Sequence, residues 1–211
     1  MERFATIPQL FRNRVLAHPD VMVQAYKNES GTYETRTYRQ LYEDVLDFAA
    51  ALQSLGVKRA DHVGLISDNR REWLIADLAI QSLGAADVPR GCDSMEKEIV
   101  FILSTTDCRL VIVENRSQLH KILSNRDSFP VLARIVMFNE PTAEEYETAK
   151  NHKVTLVSFS GAIAEGRLKR GGETRTSDAE IDAGKIEDLA TIIFTSGTTG
   201  LPKRVGHTAV S

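Results

Sequence analysis

The feature that most restricts the fold of this chain is a regular alternation of short apolar runs with longer amphipathic segments. The apolar runs, which predict strands, lie at residues 62–66, 86–89, 109–114, 135–138, 154–158 and 189–194. The segments between most of them carry apolar residues at helical spacing. Because parallel strands are joined by helical crossovers, this alternation predicts an α/β fold. We expect a doubly wound, mainly parallel sheet with helices on both faces and right-handed connections.

The clearest helix begins after Thr37, which forms a capping-box pattern with Gln40. Gly56 stands where a glycine would end this helix. A second helix, over residues 70–83, is apolar on nearly every side, so we expect it to be buried. Asn69 is the predicted N-cap of this second helix.

The two ends of the chain add further predicted elements. Residues 4–18 predict a first helix, and residues 21–26 and 33–36 predict two strands joined by a turn. Near the other end, residues 169–188 are polar and contain glycine, which is typical of an exposed connecting loop. We therefore expect the chain to leave the helical layers there before it returns to the strand at 189–194.

Composition and charge exclude several classes of function. The net charge of −3 shows no basic excess, so we expect no nucleic-acid partner. No apolar stretch is long enough to span a bilayer, and the first residues lack the apolar core of a secretory signal, so the expected location is the cytoplasm. Cys92 and Cys108 stand at no redox or metal-ligand spacing and are expected to be free thiols. The sequence does not indicate a zinc site.

A dense run of glycines and hydroxyl residues follows the last predicted strand and ends in a lysine. The run contains Thr195, Ser196, Gly197, Thr198, Thr199, Gly200, Leu201, Pro202 and Lys203. Glycines allow backbone N–H groups to approach a phosphate closely, hydroxyls add donors and lysine adds positive charge. The spacing differs from G-x-x-x-x-G-K-[ST], which disfavours an ordinary P-loop NTPase. A flexible loop without a ligand is the alternative interpretation of such a composition.

These nine residues match, position for position, the pattern T-[ST]-G-[ST]-T-G-x-P-K of the adenylate-forming enzymes. That superfamily includes acyl-CoA synthetases, peptide-synthetase adenylation domains and beetle luciferases. The chain also resembles it at residues 36–41, 61–73 and 83–89, and the N-x-x-E-W form of Asn69 to Trp73 is similar to long-chain fatty acyl-CoA synthetases. We expect these three weaker segments to be scaffold, because each has an ordinary role in a core or cap.

The resemblance implies an activity and a role for the loop. An AMP-forming fatty acid–CoA ligase joins a carboxylate to ATP, releases pyrophosphate, and passes the acyl group from the adenylate to CoA. Backbone N–H groups of Gly197–Gly200 would hold the ATP phosphates, assisted by the hydroxyls of Thr195, Ser196, Thr198 and Thr199. Lys203 would stabilise the charge that develops as pyrophosphate leaves. Thr195 corresponds to the residue that assists Mg²⁺ in the family.

The resemblance also implies that residues 1–211 form the N-terminal part of an AMP-binding domain that ends just after the phosphate loop. The family's adenine-binding segment, Mg²⁺ glutamate and main catalytic lysine have no counterpart here, so we expect the isolated chain to be inactive. Arg204 replaces a usual glycine, which predicts a distorted loop or an altered loop exit. His207 lies earlier than the family's histidine, so no role is assigned to it.

Two alternatives remain open at the level of the sequence. The parent enzyme could adenylate another acid class: aryl, amino or short-chain. The chain could also be a naturally short, non-catalytic nucleotide-binding or regulatory protein. A fatty-acid substrate is compatible with peripheral membrane contact of the whole enzyme, although no basic amphipathic helix is present to support it. The oligomeric state is not indicated.

Overall fold

The computed structural model describes residues 6–28, 30–171, 175–195 and 203–209. Its helices are α1 (Ile7–Ala17), α2 (Tyr38–Ser54), α3 (Arg71–Ser82), α4 (Glu96–Thr105), α5 (Arg116–Leu123), α6 (Ala143–Asn151), α7 (Phe159–Arg170) and α8 (Arg175–Asp182). Its strands are β1 (Met22–Lys27), β2 (Tyr33–Thr37), β3 (His62–Ile66), β4 (Ala86–Arg90), β5 (Leu110–Val113), β6 (Arg134–Met137), β7 (Thr155–Ser158), β8 (Leu189–Thr195) and β9 (Lys203–Thr208).

Within these ranges, seven strands form the main sheet in the order β7-β6-β5-β3-β4-β8-β9. All neighbours are parallel except β8 and β9, which are antiparallel. This confirms the predicted doubly wound, mainly parallel sheet. The strands β1 and β2 do not join it, but form a separate antiparallel pair.

Both faces of the main sheet are covered by apolar side chains, which explains why its central strands are apolar at almost every position. Val63 and Leu65 of β3 belong to a core shared with α2, α3 and α7. Ile66 belongs to the opposite core, which is shared with α4 and α5. Successive residues of a strand point to opposite faces, so a strand between two helical layers needs apolar residues on both.

The helix ends confirm one cap prediction and correct another. Thr37 and Gln40 form the predicted capping box at the start of α2, and Gly56 follows that helix with a φ of 90°. The predicted N-cap of α3, Asn69, is wrong. Arg70 occupies the N-cap position without a side-chain cap hydrogen bond, and its guanidinium instead donates to the side chain of Asn139 at 2.9 Å.

The predicted connecting loop over 169–188 also needs correction. α7 continues to Arg170, and α8 forms between Arg175 and Asp182. Ile181 inserts into the small core near α1 and is only 2% exposed. Polar contacts also hold α8 against the rest of the fold. For example, the Tyr42 hydroxyl donates to the Asp178 carboxylate at 2.8 Å. The polar composition of the segment predicted a loop because α8 is held mainly by polar contacts with residues that are distant in sequence.

The helices α7 and α2 pack closely against each other at Gly166. A Cβ atom placed on Gly166 would overlap the backbone carbonyl oxygen of Asp47. The Asp47 carboxylate is buried beside this crossing and accepts hydrogen bonds from Arg167 Nε at 2.8 Å and from Arg170 Nη2 at 2.7 Å. Glycine therefore brings the helix backbones close enough for both arginines to neutralise a buried charge.

We predict that Gly166→Ala destabilises the 211-residue chain by about 1–3 kcal/mol, because the added methyl group must separate two packed helices. Urea unfolding of the variant and the wild type measures the difference. Glu165→Ala changes the neighbouring exposed position and should alter stability by less than about 0.5 kcal/mol. Equal stability of Gly166→Ala and wild type would show that the crossing is not tightly packed.

Candidate functional site

The predicted phosphate loop connects the two antiparallel strands β8 and β9. Thr195, the last residue of β8, pairs in register with Lys203, the first residue of β9, and both side chains are exposed. Thr195 ends its strand at the carboxyl edge of the parallel sheet, where ligands bind in open α/β folds. The structure thus brings together the two ends of the motif.

The middle of the predicted loop lies outside the described residues. This part contains the predicted phosphate-binding residues Ser196, Gly197, Thr198, Thr199 and Gly200. Their assignment stays a prediction, as does that of Thr195 and Lys203. Arg204, beyond the loop, is an exposed residue of β9 in register with Phe194. At Arg204 itself the backbone is therefore part of a regular strand.

The hairpin is joined to the rest of the sheet by β4. Along the described length of these two strands, the β4–β8 ladder has one residue pair in register, Asp87 with Thr191. Arg90, at the end of β4, adds a side-chain bond: its Nη1 donates to the carbonyl oxygen of Phe194 at 3.3 Å. Sequence reasoning missed Arg90, although an arginine at the end of a buried strand is an unusual signal.

Asp87 is a carboxyl group inside the sheet, only 1% exposed. Burial and, after it, the charge of Asp77 raise its pKa to about 7, although a hydrogen bond with Thr191 partly opposes the rise. Burial also raises the pKa of Asp77, on α3, to about 6. Asp87 Oδ1 has no hydrogen-bond partner among the described residues, so the protonated form is favoured in this environment.

A second polar network joins the ends of β3 and β5. Glu114 Oε2 accepts hydrogen bonds from the Ser67 hydroxyl and from the Asp68 N–H, both at 3.0 Å. Asp68 Oδ1 in turn accepts from the backbone N–H of Cys92 at 2.9 Å. Burial, and then the charge of Glu114, raise the pKa of Cys92 to about 11. Cys92 is therefore a protonated thiol at neutral pH.

This network is also where side chains with metal-ligand chemistry come together. Within the described part of the chain, the ligand atoms of Asp68, Cys92 and Glu114 lie within 4.8 Å of one another. Their oxygens already accept internal hydrogen bonds, and a protonated thiol is a poor metal ligand. Cys92 and Cys108 are both free, as predicted. We interpret the network as a brace between loops at the carboxyl edge.

An open cleft of about 640 Å³ lies between the β1–β2 pair and the carboxyl edge. Its charged lining residues are Lys27, Glu34, Arg36, Asp68, Arg70, Arg71, Glu72 and Glu114. Cations and carboxylates are equal in number in this lining, so the cleft has no charge preference for a triphosphate. The hairpin remains the better candidate for phosphate binding.

The sequence model of one protein family, described as "AMP-binding enzyme", matches residues 11–211. The chain belongs to this family of AMP-binding enzymes. The resemblance seen in the motifs is thereby confirmed, and it extends over nearly the whole chain.

Relatives of this chain include one that is named an acyl-activating enzyme and one that is named a long-chain fatty acid–CoA ligase. The chain is 30% identical over 205 residues to the "Probable acyl-activating enzyme 16, chloroplastic" of Arabidopsis thaliana, covering 95% of this chain and 28% of the relative. It is 28% identical over 200 residues to the "Long-chain-fatty-acid--CoA ligase ACSBG2" of Xenopus laevis, covering 95% of this chain and 26% of the relative. The chain thus spans between a quarter and a third of the length of these relatives.

Solved structures share the fold. The anthranilate CoA ligase AuaEII, in complex with anthranoyl-AMP, aligns with a TM-score of 0.73 and 22% identity over 99% of this chain and 36% of that chain. The Klebsiella oxytoca NpsA N-terminal subdomain aligns with a TM-score of 0.67 and 22% identity over 99% of this chain and 43% of that chain. These alignments confirm the predicted fold class, an α/β fold built on a doubly wound, mainly parallel sheet. None of the described helices is long and apolar enough to cross a membrane.

We predict that the raised pKa of Asp87 makes the chain less stable as pH rises from 5 to 8. The unfolded carboxyl ionises at its ordinary lower pKa, whereas the folded one retains its proton until about pH 7. Stability from this group is therefore lost as pH rises through the folded pKa. Asp87→Asn should recover about 1–3 kcal/mol at pH 8 and flatten this pH dependence.

Urea unfolding at pH 5 and pH 8 measures this effect in the 211-residue chain. Asp127→Asn, at an exposed aspartate, is the matched control and should retain the wild-type pH dependence. If Asp87→Asn also retained the full wild-type difference between the two pH values, Asp87 would not be the titrating group.

Proposed function

We propose that the whole protein of which these residues form part is an AMP-forming ligase that activates fatty acids. Its carboxylate substrate would attack the α-phosphate of ATP to give an acyl-adenylate and pyrophosphate. A thiol would then displace AMP to form a thioester. The observation that carries this proposal is the family match over residues 11–211, together with relatives that are named long-chain fatty acid ligases.

The hairpin is the part of the site that this chain would supply. Backbone N–H groups of residues 197–200 and the hydroxyls beside them would hold the β- and γ-phosphates of ATP. Lys203 faces Thr195 across the hairpin and would place its ammonium group beside the leaving pyrophosphate. Both groups would then act on the same end of the triphosphate.

Magnesium fits the chemistry of the residue proposed to assist it. Thr195 presents an exposed hydroxyl at the carboxyl end of β8, and Mg²⁺ prefers oxygen ligands, often with waters and substrate phosphates completing its shell. The ion would neutralise phosphate charge when bound. Thr195 would contribute one oxygen ligand to the ion.

The thiol acceptor has two candidates. Coenzyme A is favoured by the Xenopus relative, whose name specifies a CoA ligase. An acyl-carrier protein is the second candidate, because the chain is also 30% identical over 173 residues to the "Long-chain-fatty-acid--[acyl-carrier-protein] ligase AEE15, chloroplastic" of Arabidopsis thaliana. That alignment covers 80% of this chain and 23% of the relative. Both acceptors attack the same acyl-adenylate, so the role of the hairpin is the same in each case.

The isolated 211 residues are proposed to be inactive. They span less than a third of the first relatives' length, and the hairpin forms one wall of a site that must also orient adenine and the carboxylate. Formation of acyl-adenylate from ATP and a fatty acid by these residues alone would contradict this proposal.

We predict that the full-length enzyme catalyses ATP–pyrophosphate exchange that depends on a long-chain fatty acid. An assay with fatty, aryl, amino and short-chain acids compares the substrate classes, and product analysis with CoA or an acyl-carrier protein identifies the thiol acceptor. Exchange that is supported only by a non-fatty acid would correct the substrate class. A folded full-length protein that shows no exchange with any acid would contradict the ligase proposal.

Lys203→Ala should reduce the exchange rate by about 10²–10³-fold, as expected when one preorganised charge-stabilising donor is lost. Lys185→Ala removes an exposed lysine before β8 and should leave the rate unchanged. Wild-type exchange by Lys203→Ala would remove Lys203 from the proposed phosphate site.

A further inference from the structure

The phosphate-loop hairpin has few main-chain connections to the sheet that must hold it. β3 and β4 pair at five successive positions, from His62 with Ala86 to Ile66 with Arg90. β4 and β8 pair in register only at Asp87 with Thr191 along their described length. β9 lies at the edge of the sheet and pairs with β8. Beyond Thr191, β8 has no further described residue in register with β4, so side-chain contacts to the rest of the fold, including those of the buried Ile192 and Phe194, help to position its end.

Arg90 supplies a connection at the required place. Its Nη1 donates to the carbonyl oxygen of Phe194, the residue directly before Thr195. Its Nη2 lies 3.5 Å from Glu98 Oε2, and this carboxylate also accepts the Met95 N–H at 3.2 Å. Arg90 thus links the end of β8 to the beginning of α4.

Phe194 is held by its side chain as well. Its ring packs edge-on against Phe101 of α4, with ring centroids 6.3 Å apart and an interplanar angle of 84°. The ring and the carbonyl group of the same residue are therefore both attached, directly or through Arg90 and Glu98, to α4. With the carbonyl fixed, the direction in which the chain enters the loop is restricted as well.

We infer that Arg90 is a positioning residue for the phosphate loop. It acts through the Phe194 carbonyl, and Glu98 orients its guanidinium for that bond. The inference rests on the proposed function, in which the loop binds the phosphates of ATP. Small displacements of a binding group reduce catalysis strongly, so the loss of this bond would weaken use of ATP more than use of the acid.

The test compares Arg90→Leu with wild type in the full-length enzyme. We expect kcat/KM for ATP to fall about 10–100-fold while KM for the acid stays unchanged, since the loop is proposed to hold the phosphates of ATP. Arg90→Lys retains one donor and should restore part of the loss. Arg109→Leu removes an exposed arginine next to β5 and should match wild type.

Hydrogen exchange of the same variants gives a readout that does not require activity. The amides of β9, which pair with β8, should exchange faster in Arg90→Leu, whereas those of β5 and β6 should exchange at the wild-type rate. A wild-type kcat/KM for ATP in Arg90→Leu, or wild-type hydrogen exchange in β9, would overturn the inference. If the wild-type enzyme itself lacked activity, the proposed function would fail. The hydrogen-exchange rates of β9 would then decide alone whether Arg90 orders the hairpin.

Discussion

Burial of the central parallel strands between two helical layers is the constraint on which the rest of this structure depends. Val63 and Leu65 contact one layer and Ile66 the other, so β3 can only be apolar on both faces. Hydrophobic burial of this kind is the largest favourable term in folding. Because the middle of each strand is buried, polar groups gather at the strand ends, where they avoid the free-energy cost of desolvation.

Three charged residues lie in or beside the apolar interior, each at a contact between two secondary-structure elements. Asp47 is buried where α2 meets α7, and two arginines compensate its charge. Asp87 is buried where β4 meets β8, and it lowers its cost by retaining a proton to about pH 7. Arg90 follows on the same strand and donates to the first backbone carbonyl before the phosphate motif. The hairpin is thus attached to the sheet by polar groups in addition to the apolar side chains of Ile192 and Phe194, which lie in the core.

The parts of the fold that could be predicted from the sequence are those encoded locally. The capping box of Thr37 and the phosphate motif from Thr195 to Lys203 each lie within one short stretch. The Arg90–Phe194 bond joins residues 104 positions apart, so no local pattern could reveal it. α8 was missed because its contacts are mainly polar, and the Asn69 cap was wrong because the N-cap position of α3 is occupied by Arg70, whose side chain bonds to Asn139.

In the proposed function, the β8–β9 hairpin holds the phosphates of ATP at the carboxyl edge of the sheet. A structure of the full-length enzyme bound to a non-hydrolysable ATP analogue would show where the phosphates lie. We expect the triphosphate against residues 195–203, with Lys203 Nζ about 3 Å from a phosphate oxygen. A triphosphate bound elsewhere, with no contact to the hairpin, would contradict it.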